Sequence, residues 1–112
     1  MSGSVAPEMP GTIVVIDPSG SQRSLAVPAG QRVLVGSDPS ATIQVVHPRV
    51  AVWQASIDRQ GPGWLVNSLD PANPIWMLDE TGRAIPVMEG IGFRSVTLLS
   101  GTTQILLLAP GS

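Results

Sequence analysis

The feature that most limits what this chain can become is its punctuation. Turn-forming glycine and proline clusters, Pro18-Ser19-Gly20, Pro28-Ala29-Gly30 and Gly61-Pro62-Gly63, recur along it with only short apolar runs between them. Proline removes a backbone donor and glycine costs backbone entropy inside a helix, so a sequence interrupted this often cannot sustain long helices. The intervening runs are β-branched or aliphatic: TIVVID (12–17), QRSLAV (22–27), RVLV (32–35), TIQVV (42–46), a strand over 52–59, WLV (64–66), IWML (75–78), AIPV (84–87), SVTLL (95–99) and QILLL (104–108). Short strands bounded by turns at intervals of roughly ten residues predict an all-β chain, an antiparallel β-sandwich of about ten or eleven strands. No helical periodicity survives beyond one turn, and no internal repeat is visible. Residues 37–41, 47–51 and 67–74 read as loops, and 79–83 as a hairpin turn.

Alternation assigns faces within these strands. Trp53, Ala55 and Ile57 share parity and are expected on the inner face, Trp64 belongs to an apolar run and is expected in the core, and Trp76 is outward if Ile75 and Met77 are inward, the alternative being a core Trp76 with Ile75 outward. An outward tryptophan beside methionine has the composition of an interaction hot spot.

Composition narrows function by exclusion. Only 12% of the 112 residues are charged, against about 25% in an average globular domain. The net charge is −2, lysine is absent and six arginines are scattered, so no basic stripe is present to hold a nucleic-acid backbone. There is no cysteine, one histidine and no tyrosine, an inventory too thin for acid–base, nucleophilic or metal chemistry; no enzyme, cofactor or metal site is expected. The glycines at 90, 92 and 101 open no phosphate-binding loop, and Asp70-Pro71 and Asp79-Glu80 read as turn formers rather than a carboxylate pair. The longest apolar stretch, 105–110, is far below the ~20 residues of a membrane helix, and the opening residues lack a secretory pattern, which points to a cytoplasmic protein without membrane insertion. Residues 1–11 read as a flexible leader, 12–109 as the single domain, and 110–112 as a boundary. Arginine without lysine suggests a GC-rich, bacterial source.

From Gly30 onward the order of pieces becomes specific: a strand ending V-L-V-G, a polar loop, T-I-Q-V-V, His47-Pro48-Arg49-Val50, A-V-W-Q-A-S-I, G-P-G-W-L-V-N, a loop containing Asn73, and L-L-S-G-T-T-Q-I-L-L-L. Over residues 12–108 this resembles the forkhead-associated (FHA) domain family, and the spacing matches better than the residues do. The resemblance implies an eleven-strand sandwich whose loops at one end meet a phosphothreonine peptide. Position by position, Gly36 fits the family's glycine, Ser37 stands at its phosphopeptide-contacting arginine, and Ala51 at the serine that touches phosphate. Val52 replaces the adjacent arginine and Gln54 the histidine that braces the loop, while Asn73 matches the asparagine and Pro74 replaces its glycine partner.

Phosphothreonine carries a charge of about −1.5 to −2 and calls for charge-assisted donors, above all arginine. The expected function is therefore that of a non-catalytic, FHA-like adaptor that binds a protein or peptide partner independently of phosphothreonine. Its surface would comprise Ser37, Arg49, Ala51, Val52, Gln54, Asn73 and Trp76, with Arg49 as electrostatic anchor, Asn73 as a main-chain hydrogen-bonding group and Trp76 as apolar anchor. A second reading keeps phosphopeptide binding through Arg49 and Asn73. A third is structural, with the domain pairing with itself, or with the rest of a longer polypeptide, through the edge of the apolar run 105–108. The blander alternatives are an Arg49 ion pair with Asp38 or Asp70 and a His47 that serves only as a loop hydrogen-bonding residue.

Overall fold

The structure is a computed structural model, and it describes residues 10–88 and 90–109. The expected leader and tail lie largely outside the described residues; of the leader, Gly11 is already part of the first strand. Eleven strands follow in chain order: β1 (Gly11–Ile16), β2 (Gln22–Val27), β3 (Arg32–Gly36), β4 (Ile43–Gln44), β5 (Ala55–Gln60), β6 (Gly63–Ser68), β7 (Trp76–Leu78), β8 (Ala84–Pro86), β9 (Ile91–Phe93), β10 (Val96–Ser100) and β11 (Thr103–Leu108). They form a six-stranded sheet in the order β2-β1-β11-β10-β7-β8 and a five-stranded sheet in the order β4-β3-β5-β6-β9, packed as a sandwich.

The core follows from alternation. Ile13 and Val15 on β1, Leu98 on β10 and Ile105 and Leu107 on β11 face Val33 and Val35 on β3, Ile57 on β5 and Trp64 and Val66 on β6, all buried. Each such side chain contributes about 1.5–3 kcal/mol by leaving water. Arg59 is buried at one end of this core, where its Nη1 donates to the carbonyls of Gly61 (2.5 Å) and Gly63 (3.0 Å) and its guanidinium lies 5.8 Å from the Trp64 ring centroid.

Several expectations need correction. The sandwich is not purely antiparallel, because β4 runs parallel to β3, with Val35 beside Ile43 and Gly36 beside Gln44. β4 is confined to two residues of the expected five, and the Val45 amide makes the last bond of its pairing with β3, to the Gly36 carbonyl (2.8 Å). β9 was not expected at all: Ile91, Gly92 and Phe93 lie in a glycine-bearing stretch, and pairing with β6 makes them a strand. That pairing partner, in turn, extends through Asn67 and Ser68, which had read as loop. The strand expected over 52–59 begins at Ala55, so Trp53 is not on the inner face; it lies in a bend and is 38% exposed. The Val52 and Trp53 backbone is held against β3 instead. A Cβ on Gly36 would overlap the Val52 carbonyl oxygen, and the Asp38 amide donates to that same oxygen (3.3 Å). Finally, residues 105–108 offer no edge for self-pairing, because β11 lies between β1 and β10.

Candidate functional site

Strand directions collect the loops. β1, β3, β6 and β10 run one way and their antiparallel partners the other, so the β1–β2, β3–β4, β4–β5, β6–β7 and β10–β11 connections all emerge at one end. At this end the backbone is tightly tied. In the β3–β4 loop Asp38 Oδ1 accepts from the Ser40 amide (2.8 Å) and hydroxyl (2.6 Å), and the Ser37 amide donates to the Ala51 carbonyl of the next loop (3.0 Å). In the β4–β5 loop the Arg49 amide donates to His47 Nδ1 (3.0 Å), so the ring keeps its proton on Nε2. His47 thus serves as the loop hydrogen-bonding residue its context suggested.

The β6–β7 loop is folded by two turns and one buried side chain. Asp70 Oδ1 accepts from the Ala72 amide (3.0 Å), the turn-forming role read from the sequence. Ser68 Oγ donates to the Val87 carbonyl and accepts from the Ile75 amide (3.1 Å), which fixes the entry to β7. Gln54 does the rest. It is 1% exposed, its Nε2 donates to the carbonyls of Asn73 and Pro74 (3.4 Å each), and its Oε1 accepts from the Ser100 hydroxyl. One amide therefore ties β5, the β6–β7 loop and the end of β10 together. Gln54 cannot meet a partner by its side chain; it positions residues that can.

Between these loops lies a groove of about 330 Å³ lined by His47, Arg49, Gln54, Asn73, Trp76 and Thr102, among others. The structure thus brings together four of the residues singled out in the sequence: Arg49, Gln54, Asn73 and Trp76. Ser37, Ala51 and Val52 are outside the groove lining, in the joined β3–β4 and β4–β5 loops, with Val52 exposed. Trp76 faces outward (39% exposed) over a buried Ile75, one of the two arrangements that parity allowed. Arg49 is exposed and makes no ion pair among the described residues, so the pairing with Asp38 or Asp70 is not formed. The Ser40 hydroxyl and amide hold the Asp38 carboxyl below the usual carboxylate range.

Gly101 and Thr102, in the β10–β11 turn, were not recognised in the sequence as part of this site. Gly101 has φ +58°, and a Cβ there would lie 2.7 Å from His47 Cγ, so its bare backbone is what lets the imidazole close one wall. The only signal was the turn chemistry of Ser100-Gly101, which says nothing about which end of the sandwich the turn occupies. Among the described residues no group of three or more histidine, cysteine or carboxylate side chains could hold a metal ion, and no helix is long and apolar enough to cross a membrane.

No protein-family model and no curated protein matches this sequence. Solved structures do. The FHA domain of the CT664 protein from Chlamydia trachomatis superposes with a TM-score of 0.73 at 22% identity, over 88% of this chain and 96% of that one. An FHA domain of a hypothetical protein from Arabidopsis thaliana gives 0.75 at 16% identity, over 100% and 96%. Mycobacterium tuberculosis EmbR, solved in complex with a low affinity phosphopeptide, gives 0.68 at 14% identity, over 90% of this chain but 25% of its own length. With a six-stranded and a five-stranded sheet in this order and these superpositions, the fold of the chain is that of the forkhead-associated domains.

Proposed function

We propose that this domain is a non-catalytic protein-interaction module whose loop-end groove takes an extended peptide segment of a protein partner without requiring phosphothreonine. The observation that carries the reading is the convergence of Arg49, Asn73 and Trp76 on one groove; the resemblance to the family, which sets Ser37, Ala51 and Val52 against its phosphate contacts, supports it. An unpaired guanidinium offers a fixed fork to a carboxylate or carbonyl, the Asn73 amide can bond a main chain, and the Trp76 ring supplies apolar contact. The β3–β4 and β4–β5 loops bring an alanine and an exposed valine, together with the ionised Asp38 immediately after Ser37. A carboxylate next to that position repels a dianionic phosphate rather than holding it. Val46, Val52, Trp53 and Leu69 are also exposed in the loops at this end, which suits a protein surface better than a free anion.

The test is selection of peptides from a displayed random library on the immobilised domain, followed by amide-shift titration of the isotope-labelled protein with the recovered peptides and with phosphothreonine peptides of matched sequence. Saturable shifts at Arg49, Asn73 and Trp76 with unphosphorylated peptide are expected, weakened roughly tenfold or more by Arg49→Ala or Trp76→Ala, as loss of an anchor contact would produce. Shifts confined to phosphopeptides at Ser37, Arg49 and Asn73 would overturn the reading. EmbR's complex with a phosphopeptide makes that comparison the informative one.

A further inference from the structure

The two outer faces of the sandwich differ in chemistry. On the five-stranded sheet the outward positions carry charge, Arg32 pairing with Asp58 (2.7 Å) beside Leu34 and Leu65. On the six-stranded sheet they do not. The register places Val14, Leu106, Thr97 and Leu78 side by side across four strands, and the next row runs Ile16, Gln104, Leu99 and Trp76. The side chains of these rows point away from the buried set of Ile13, Val15, Leu98, Ile105 and Leu107. No charged residue occupies an outward position on any of the six strands. The outer face of this sheet thus combines aliphatic side chains with the uncharged polar ones of Thr12, Gln22, Ser24, Thr97 and Gln104, and a face without charge on any strand departs from the usual polar side of an antiparallel sheet.

We propose that the outer face of the six-stranded sheet is the interface of a homodimer, packed face to face on the same sheet of a second copy. The face has no charge at its outward strand positions with which to address a charged partner. The surface that matches it in this respect is the same face on another copy, and a two-fold axis through it buries no charge on either side. Four strands of five or six residues and two of three, about 4.8 Å apart with a rise of about 3.4 Å per residue, give roughly 400–500 Å² in projection per copy. A facing pair then approaches the ~1,000 Å² of a specific interface before side-chain relief is counted, at a sheet separation of about 10 Å. A lipid surface fits less well, because the chain has no lysine and none of the outward positions of this sheet is an arginine to meet anionic headgroups. Trp76 stands where this face meets the groove, so the dimer would set two grooves in fixed relation.

Sedimentation velocity and equilibrium of the whole 112-residue chain, from micromolar to sub-millimolar concentration, test the proposal. A species of twice the 11.7 kDa chain mass is expected. Leu106→Arg, at the centre of the face, is expected to raise the dimer dissociation constant at least a hundredfold. Thr97→Arg, beside it, removes no apolar core and does the same if Leu106→Arg fails to fold, with circular dichroism reporting the fold of each. A wild-type chain that stays monomeric throughout would overturn the interface. So would a dimer that survives both substitutions in folded protein, or a monomer that co-floats with phosphatidylcholine vesicles.

Discussion

Gln54 shows how much one side chain can determine at the loop end. Buried, with both amide groups engaged, it satisfies two carbonyls of the β6–β7 loop and a hydroxyl at the end of β10. Replacing it with leucine leaves those groups in the interior without partners, at a cost of about 1–3 kcal/mol for the unmet polar atoms. Gln54→Leu is therefore expected to lower the urea midpoint by that amount and to broaden the amide resonances of residues 70–75. Gln54→His retains a donor and an acceptor and should recover a substantial part of the loss. A Gln54→Leu variant as stable as the parent would show that the network carries no net free energy. The sequence made Gln54 legible only by its position in the family-like order of residues; that it is buried, and so positions rather than touches a partner, required the tertiary structure. The exposure of Trp53 was equally hidden, because strand parity is a local rule and the loop that holds its backbone comes from fifteen residues earlier, at Asp38.

At the scale of elements, three turns share one device. Asp17 accepts from Ser19 and Ser21, Asp38 from Ser40, and Asp79 from Thr81 and Arg83, each folding its loop around a carboxylate. The bonded hydroxyl, Ser19, Ser40 or Thr81, is the main reason each of these carboxyls titrates below its ordinary value of 3.8. A depressed folded-state pKa contributes stability that is complete above the unfolded value and is lost as pH falls through the folded one. The thermal midpoint is therefore expected to be insensitive to these groups from neutrality to about pH 4 and to decline below it. Asp79→Asn, which keeps the turn but loses the charge, should flatten that decline in calorimetry at stepped pH; an unchanged slope would remove Asp79 from the account. These turns were readable from sequence, as were most strands, because alternation and turn chemistry act over a few residues. β9 was not, since its glycine-bearing stretch has no pattern of its own and is a strand only by virtue of β6.

For the whole molecule the consequence is a division of labour between two surfaces. The groove draws on three loops at one end and the start of β7, while the charge-free face draws on the strands of a single sheet. If both readings hold they are separable: Arg49→Ala should weaken peptide binding and leave the sedimentation coefficient unchanged, whereas Thr97→Arg should dissociate the dimer and leave the intrinsic affinity of each groove for peptide within about twofold, as expected for distant sites without shared partners. A change in both properties with either substitution would show that the surfaces are coupled through Trp76. By itself the sequence determined that the chain is all-β, where most strands and turns fall, that Trp64 is core, and that charge is scarce. Those properties rest on backbone preference and period-two alternation, which neighbouring residues settle among themselves. The tertiary structure alone decided that β4 runs parallel, that β11 is central rather than an edge, that Gly101 and Thr102 join Arg49 in one groove, and that the uncharged strand positions line up on one face. Each of these depends on pairing between distant segments, and the free energy of that pairing is a property of the assembled sheets.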